Sequence, residues 1–373
     1  MKKRVSLILG TRPEAIKMAP VYLTLKNDPR MDVSLIVTAQ HRQMLDQVLE
    51  VFKIIPDYDL NIMRQNQTLS QVSARVIEGV QKTLAEHKPD AVLVHGDTTT
   101  CLFSALAAFY EKIPIGHVEA GLRTYNYNAP WPEEMNRRLV DPIARWCFAP
   151  TQSSVDNLIK ENIPKENIFI TGNTIVDALL RVQTIVRQNK PKIDGLSDNF
   201  MEGRKLILVT GHRRESFGGP FEELCYALRQ IVEENKNVVL VYPVHLNPNV
   251  QKPVKKILGN IDRVFLIEPV GYLQFVHLMD LSYIIITDSG GIQEEAPSLH
   301  KPVLVMRETT ERPEAVQSGL AKLVGTSREK IINETTLLLT NPEVYKKMSH
   351  GKNPYGDGTA SKSIADVLYD TLK

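Results

Sequence analysis

Val5–Glu14 (VSLILGTRPE) joins an apolar run to a turn that holds glycine, a basic residue and glutamate. The run is nearly continuous in apolar character, as is typical of a strand buried on both faces of a parallel sheet. Pro13 suits the first position of a helix and Glu14 suits its first turn, so a helix is expected to follow at once. The same order recurs in Lys205–Glu215 (KLILVTGHRRE), which predicts two related halves.

Further apolar runs continue through both halves, separated by turns and by helix-period segments such as Ser70–Glu86, Thr99–Tyr110 and Glu222–Glu234. This alternation predicts a doubly wound α/β fold with six strands in each half. The predicted strands are Val5–Leu9, Val33–Thr38, Ala91–His95, Ile113–Val118, Trp146–Ala149 and Ile168–Thr171, then Lys205–Thr210, Val238–Tyr242, Val264–Glu268, Tyr283–Thr287, Val303–Met306 and Lys322–Gly325. The join is expected between residues 172 and 204, with polar Gln188–Asn199 as the linker region.

Composition indicates a globular enzyme, with 43% hydrophobic and 24% charged residues. A net charge of +2 gives no basic stripe for nucleic acid and no polybasic patch for a membrane. The apolar run after the basic N-terminus is too short for a signal peptide, and no run approaches the roughly 20 residues that cross a bilayer. We therefore expect a cytoplasmic protein.

Three cysteines, Cys101, Cys147 and Cys225, lie singly in apolar segments. This placement predicts small core residues in a reducing compartment. Neither Cys-x-x-Cys nor His-Glu-x-x-His spacing occurs, so no structural or catalytic metal is expected.

The unusual polar clusters follow predicted strand ends, where open α/β sheets bind ligands. With two such sheets, we expect the site in a cleft where the strand ends face each other. The turn Asp288–Gly291 (DSGG) predicts a diphosphate seat, because paired glycines admit a ligand to the N–H groups of a helix start. Glu295, one helical turn later, could accept from ribose hydroxyls. The alternative is a plain glycine turn capped by Ser289.

Basic and acidic residues mark the other turns. Arg12 and Lys17 follow the first strand and suit phosphate. Asp97 follows the third predicted strand, either as a helix cap or as a carboxylate available for proton transfer. Glu119 ends the next strand; a glutamate left unpaired among apolar neighbours would be desolvated, which raises its pKa toward that of a general acid or base.

Three further segments complete the set. Glu133 lies at a predicted helix start, where negative charge is stabilised. The alternative to a catalytic role is that it only stabilises this helix N-terminus. His212 lies beside arginines at the first turn of the second half, and Arg312 directly precedes a helix that begins with proline. Together these residues predict a protein that binds a nucleotide diphosphate compound and moves protons on the part beyond the phosphates.

The motifs together resemble the non-hydrolysing UDP-N-acetylglucosamine 2-epimerases of bacteria and archaea. They run from residue 10 to residue 315, so the resemblance covers nearly the whole chain. The matching stretches are GTRPEAIKMAP, TAQHRQML, VHGDTTT, GHVEAGLRT, PEEMNRR, GNTIVDAL, TGHRRESFG, YPVHLNP, TDSGGIQEEAP and ETTERPEA.

The resemblance implies the GT-B architecture, with two Rossmann-like domains facing a central cleft. The implied domains are 1–172 and 173–355, with a last helix in 356–373, over Ser361–Leu372, returning to the first domain. The family interconverts UDP-GlcNAc and UDP-ManNAc without metal or nicotinamide cofactor, which supplies ManNAc for cell-surface polysaccharides. The implied route eliminates UDP to a glycal and adds it back with C2 protonated on the other face.

Carried over by motif, the implied catalytic set is Asp97, Glu119, Glu133 and His212. The implied UDP contacts are Arg12, Lys17, Phe275, Ser289, Gly290, Gly291, Glu295 and Arg312. Bacterial members are also activated by UDP-GlcNAc bound beside the active site, and the matching positions are Gln40, Gln43, Glu133, Arg213 and His245. Asn66 and Val270 depart from some relatives at positions near that effector. A homodimer is likewise implied.

Three alternatives stay open at this stage. A hydrolysing epimerase would release UDP and free ManNAc, and the effector-like segment Gln40–Gln43 (QHRQ) argues against it. A GT-B glycosyltransferase would need an acceptor groove, for which no separate aromatic or basic signal occurs. A non-catalytic UDP-sugar sensor could keep Gly290 and Gly291 but would have no use for the four implied catalytic residues together.

Overall fold

The computed structural model describes residues 2–39, 42–64, 66–213 and 217–372, without the side chain of Gln43. The chain divides into an N-terminal unit, Met1–Ala178 with Tyr355–Lys373, and a C-terminal unit, Leu179–Pro354. The division falls inside a helix, Thr174–Gln188, and so precedes the polar segment interpreted as the linker.

The N-terminal unit is built on a parallel sheet of seven strands, in the order β3-β2-β1-β4-β5-β6-β7. The strands are β1 Lys3–Leu9, β2 Met31–Val37, β3 Tyr58–Asp59, β4 Ala91–His95, β5 Ile115–Val118, β6 Trp146–Ala149 and β7 Ile168–Ile170. Both faces are covered by helices, which is why β4, β5 and β6 are buried along their whole length.

The helices of this unit alternate with its strands and begin on capping side chains. Thr68, Thr98 and Thr151 each accept a hydrogen bond from a backbone N–H of the following first turn. The helices are α1 Arg12–Lys26, α2 Arg42–Val51, α3 Leu69–His87, α4 Thr99–Tyr110, α5 Glu133–Val140, α6 Gln152–Lys160, α7 Thr174–Gln188, which continues past the division, and the C-terminal α15 Ala360–Thr371.

The C-terminal unit contains a parallel sheet of six strands, in the order β10-β9-β8-β11-β12-β13. Its strands are β8 Lys205–Thr210, β9 Val238–Pro243, β10 Val264–Ile267, β11 Ile284–Thr287, β12 Val303–Val305 and β13 Ala321–Leu323. Its helices are α8 Gly219–Glu234, α9 Pro248–Leu258, α10 Tyr272–Leu281, α11 Gly290–Glu295, α12 Pro313–Gln317, α13 Arg328–Thr340 and α14 Pro342–Ser349.

All twelve predicted strands are present, with small shifts at their ends, so the doubly wound α/β prediction is confirmed. The strand that the sequence did not predict is β3, which contains two residues and pairs only with Ile36 and Val37. In each unit the first strand lies inside the sheet, with the next two strands on one side and the later ones on the other. This shared order agrees with two related halves.

The C-terminal helix α15 packs against α1 within the N-terminal unit. Its first N–H groups are satisfied by Asp177, whose carboxylate accepts from Ser361 N at 2.8 Å and from Ala360 N at 3.3 Å. At its other end, Trp146 donates from Nε1 to Thr371 Oγ1 at 2.7 Å. These bonds fix both ends of the helix.

Two properties of the described residues complete the fold. Cys101, Cys147 and Cys225 are buried and unbridged, as predicted. Within the described ranges, no helix is long and apolar enough to cross a membrane, and no cluster of His, Cys, Asp or Glu side chains is arranged to hold a metal ion.

Replacing Asp177 with alanine removes a buried cap and leaves two helix N–H groups without an acceptor. We expect a loss of about 2 kcal/mol in unfolding free energy. Urea unfolding followed by tryptophan fluorescence measures it, since both tryptophans, Trp131 and Trp146, lie in this unit. Asp370→Ala removes an exposed carboxylate of the same helix and serves as the control. Equal midpoints for the two variants would contradict the capping role.

Candidate functional site

The N-terminal sheet reverses its strand order between β1 and β4, which are paired in parallel. Helices that leave two such strands pass to opposite faces, so a crevice opens at the strands' carboxyl ends. The Gly10–Arg12 turn follows β1 and Asp97 follows β4. Both therefore lie at the position where a doubly wound sheet binds ligands.

The buried carboxylate of Glu14 joins these two turns. Its Oε2 accepts from Gly10 N at 2.9 Å and from Thr11 N at 2.7 Å, and its Oε1 accepts from Thr98 Oγ1 at 2.6 Å. Burial raises the pKa of Glu14, although the hydrogen bonds from Thr98, Gly10 and Thr11 oppose the rise. Glu14 thus fixes the turn that presents Arg12 relative to the turn that presents Asp97.

Two side chains of α5 hold Asp97 in place by hydrogen bonds. Arg137 Nη2 donates to its Oδ2 at 2.6 Å, and Asn136 Nδ2 donates to its backbone oxygen at 2.8 Å. Burial raises the pKa of Asp97; Arg137 lowers it, and the charges of Glu119 and Glu133 raise it further. The helix cap of α4 is Thr98 and not Asp97, so the capping alternative for Asp97 is wrong.

Glu119 follows β5 with a backbone φ of +67°, a left-handed conformation that is uncommon outside glycine. Its side chain is 8% exposed and forms an ion pair with Lys17. Asn173 Nδ2 donates to Oε1 at 3.0 Å, and His95 Nε2 lies 3.3 Å from Oε2. The expectation of an unpaired glutamate is wrong, since both oxygens have polar partners. Burial lowers the pKa of His95 to about 3, although the charge of Glu119 raises it, so this histidine is neutral.

A second buried histidine supports the turn before Asp97. His117 Nδ1 lies 2.6 Å from Asp141 Oδ1, and its Nε2 lies 2.7 Å from the Gly96 carbonyl oxygen. Arg123 Nη2 also donates to Asp141, at 2.6 Å. Burial alone would raise the pKa of Asp141, but His117 and Arg123 outweigh it and hold the pKa below its usual range. Because both partners of His117 can only accept, both ring nitrogens donate and the imidazole carries a positive charge.

Glu133 begins α5, as the sequence predicts, and its charge acts on Asp97. The following residue, Glu134, is fully buried and accepts from the backbone N–H groups of Thr124 and Tyr125, each at 3.0 Å. Glu134 thereby anchors the loop that leads from β5, while Glu133 remains partly exposed.

The C-terminal sheet repeats the arrangement, since β8 and β11 are its paired strands at the reversal. His212 follows β8 and Asp288 follows β11. Asp288 Oδ2 accepts from the backbone N–H groups of His212 at 2.7 Å and of Arg213 at 2.8 Å. The His212 side chain is 49% exposed and accessible to a ligand.

The glycine turn lies beside them, with Ser289 as the N-cap of α11. Neither Gly290 nor Gly291 has a positive φ, and a Cβ on either would meet described atoms only at 3.6 Å or beyond. Neither backbone strain nor protein crowding therefore demands glycine here. Within the described residues the Ser289 hydroxyl makes no capping bond, so the plain capped-turn alternative loses its main contact.

Three predicted nucleotide contacts lie around this turn. Glu295, 9% exposed, ends α11, and the Tyr272 hydroxyl lies 3.4 Å from its Oε2. Phe275 lies one turn after Tyr272 on α10 and is partly exposed. Arg312, the N-cap of α12, forms an ion pair with buried Glu294.

The predicted effector positions are only partly described. His245 follows β9 and stacks on His212, with ring centroids 5.1 Å apart and planes inclined by 10°. Arg213 lies 3.7 Å from Glu311, measured from Nη1 to Oε1. Gln40 lies outside the described residues, and Gln43 is on α2 with a side chain that is likewise outside them.

Sequence reasoning assigned no role to the side chains of Arg137, His117 or Asp288, although Asp288 begins the predicted diphosphate turn. Arg137 follows Glu133 by four residues on a predicted helix, so helical spacing could have placed it on the same face. The partners of His117 and Asp288 are 24 and 76 residues away in sequence, and no local pattern indicates them.

Comparison with known proteins gives one consistent family. The family model for UDP-N-acetylglucosamine 2-epimerase matches residues 23–369. A UDP-N-acetylglucosamine 2-epimerase of Escherichia coli K12 is 55% identical over 98% of both chains. The crystal structure of UDP-GlcNAc 2-epimerase from Neisseria meningitidis bound to UDP-GlcNAc is 50% identical, covers 99% of this chain and 100% of its own, and superposes with a TM-score of 0.85. The enzyme from Methanocaldococcus jannaschii in complex with UDP-GlcNAc and UDP is 35% identical, with 98% and 99% coverage and a TM-score of 0.76.

Two Rossmann-like sheets in one chain, each with polar turns at its strand reversal, define an enzyme of the GT-B fold class, as predicted. Within that class, the chain belongs to the UDP-N-acetylglucosamine 2-epimerase family. The family predicted from the motifs is confirmed.

Replacing Asp141 with asparagine leaves the buried charges of His117 and Arg123 without their carboxylate. We expect the free energy of unfolding to fall by about 3–5 kcal/mol at pH 7. Because the folded pKa of Asp141 is lowered, its contribution is complete above the unfolded value of about 3.9 and is lost as the pH falls through the folded pKa. The difference between the two proteins should therefore narrow below about pH 4.

Urea unfolding followed by tryptophan fluorescence measures this difference. Asp156→Asn, which removes an exposed carboxylate of the same unit, is the control. A loss no larger than that of the control would refute a stabilising buried ion pair.

Proposed function

We propose that this protein interconverts UDP-GlcNAc and UDP-ManNAc at C2 of the sugar. A base removes the C2 proton, the C1–O bond breaks, and UDP departs with the bonding electrons to leave a glycal with a C1=C2 double bond. In the return step an acid protonates C2 on the opposite face while the UDP oxygen bonds to C1. Atoms and electrons balance without an external oxidant or reductant.

The convergence of Asp97, Glu119 and Glu133 at one edge of the N-terminal sheet carries this proposal. Chemistry at both faces of C2 needs one group to take a proton and another to give one. Burial raises the pKa of Asp97, and the charges of the other two carboxylates raise it further. A carboxyl group tuned in this way can hold a proton nearer neutral pH, as a shuttling acid or base must.

The C-terminal unit supplies groups suited to the departing diphosphate. Gly290 and Gly291 present a turn whose missing side chains leave room for a phosphate group to approach the backbone. We assign His212 to stabilise or protonate the leaving UDP, Glu295 to the ribose hydroxyls and Phe275 to the nucleotide. Ser289, Arg12, Lys17 and Arg312 complete the proposed UDP contacts.

Two of these assignments require an exchange of partners. Lys17 is paired with Glu119 and Arg312 with Glu294. On ligand binding, each cation would share its charge between the carboxylate and the diphosphate. Lys17 would then connect diphosphate binding to the position of Glu119.

The ligands of two relatives support the proposed substrate. The Neisseria relative is bound to UDP-GlcNAc, and the Methanocaldococcus relative to UDP-GlcNAc and UDP. We further propose a cytoplasmic homodimer that is activated by UDP-GlcNAc through Gln40, Gln43, Glu133, Arg213 and His245. Buried, unbridged cysteines agree with a reducing compartment.

Asp97→Asn keeps the shape of the side chain but removes its ability to take a proton. We expect the rate of UDP-ManNAc formation to fall by about 10²–10⁴-fold, while the affinity for UDP changes little. Product analysis by NMR and calorimetric titration of UDP measure the two quantities. Asp90→Asn, just before the start of β4, is the matched control. Full turnover by Asp97→Asn would remove this residue from the mechanism, and release of free ManNAc by the unmodified enzyme would replace epimerisation with hydrolysis.

Gln43→Ala tests the proposed effector site. Loss of one hydrogen bond of about 1 kcal/mol should raise the UDP-GlcNAc concentration for half-activation about fivefold. Steady-state rates at varied UDP-GlcNAc, with UDP affinity measured in parallel, give this value. Gln47→Ala, one turn later on α2 and exposed, should leave it unchanged. Identical activation curves for both variants would remove Gln43 from the effector site.

A further inference from the structure

Asp288 is a buried carboxylate whose side-chain hydrogen bonds, among the described residues, all go to one turn. It follows β11, is 2% exposed, and accepts through Oδ2 from the backbone N–H groups of His212 and Arg213. Two N–H donors on one oxygen fix the path of the chain where His212 leaves β8. The carboxylate therefore determines where the histidine side chain starts.

The second oxygen of Asp288 is directed toward the imidazole. Oδ1 is buried and has no hydrogen-bond partner among the described residues, yet it lies 3.7 Å from His212 Nδ1. A buried oxygen without a donor is costly, and a small rotation of the ring would supply one. Because an ionised carboxylate can only accept, this pairing keeps a proton on Nδ1 and leaves Nε2 to exchange a proton with a ligand.

His245 restrains the same ring from one face. The two imidazoles are stacked 5.1 Å apart, and the backbone N–H of Asn247 donates to His245 Nδ1 at 3.1 Å. Nδ1 of His245 therefore carries no proton, and the stack brings a neutral ring against His212. Among the described residues of the turn, Arg213 is a charged neighbour, and its Nη1 lies 3.7 Å from Glu311 Oε1.

We infer that Asp288 is a positioning residue for His212, which fixes the Nδ1–H tautomer and orients Nε2 toward the leaving diphosphate. This inference rests on the proposed function only for the identity of the leaving group. The tautomer and the anchoring of the turn follow from contacts within the C-terminal unit.

Asp288→Asn is the discriminating variant. An amide oxygen still accepts from both backbone N–H groups, and the turn keeps the bond from Tyr242 Oη to the Gly211 carbonyl at 2.7 Å. We expect kcat to fall about tenfold to hundredfold, because a misplaced proton donor loses part of the rate acceleration that a positioned one gives. KM should change by less than about threefold. Without a carboxylate oxygen facing Nδ1, the ring loses the acceptor for that proton, so the variant should no longer prefer the Nδ1–H tautomer of His212 in ¹⁵N spectra.

Asp262→Asn, an exposed change of the same kind in this unit, should change neither kcat nor the His212 tautomer. A fall in kcat with an unchanged His212 tautomer would reduce Asp288 to a structural role and overturn the inference. A parallel loss of UDP affinity would also overturn the inference, because it would assign Asp288 to the UDP-binding site.

A second measurement does not depend on activity. The ¹⁵N shifts of the unmodified protein's imidazoles, assigned through His212→Asn, report which ring nitrogen is protonated. We expect the neutral ring of His212 to carry its proton on Nδ1 and to leave Nε2 bare. The opposite tautomer would refute the inference even in a fully active epimerase. If the protein did not epimerise, the proposed function would fail while this result still stood.

Discussion

The reversal of strand order inside each parallel sheet is the constraint on which the candidate site depends. Parallel strands end at one edge, and at the reversal the following helices part to opposite faces. Asp97 and the Arg12 turn occupy that position in the N-terminal unit, and His212 and Asp288 occupy it in the C-terminal unit. The topology collects residues distant in sequence without any local pattern joining them.

Buried carboxylates make these turns rigid. Glu14 joins the turns after β1 and β4, and Asp288 joins those after β8 and β11, each by accepting backbone N–H groups. Burying an ionisable group costs free energy, which such bonds offset. His117 adds a third support through the carbonyl of Gly96, whose φ of +70° a side chain rarely adopts. The turns are therefore set before a ligand arrives, which lowers the reorganisation that catalysis requires.

The sequence predicted those features that a local pattern encodes. Continuous apolar runs predicted every strand except β3. A two-residue edge strand is too short to show such a run. Polar turns after predicted strands indicated Asp97, Glu119 and His212 as site residues. The ion pairs of Lys17 with Glu119 and of Arg312 with Glu294 were not predicted, because each depends on tertiary packing that brings two separate turns together. The division lies within the expected range of 172–204 but inside α7 and not in the polar segment, since a helix can continue across a boundary that composition places in such a segment.

Elimination and return of UDP is the central claim, and exchange at C2 tests it most directly. The unmodified enzyme is incubated with UDP-GlcNAc in D₂O, and the products are analysed by NMR and mass spectrometry. The account predicts UDP-ManNAc with deuterium at C2, because the proton lost to the carboxylates exchanges with solvent before C2 is protonated again. Epimerised product that retains its original hydrogen at C2 would contradict it.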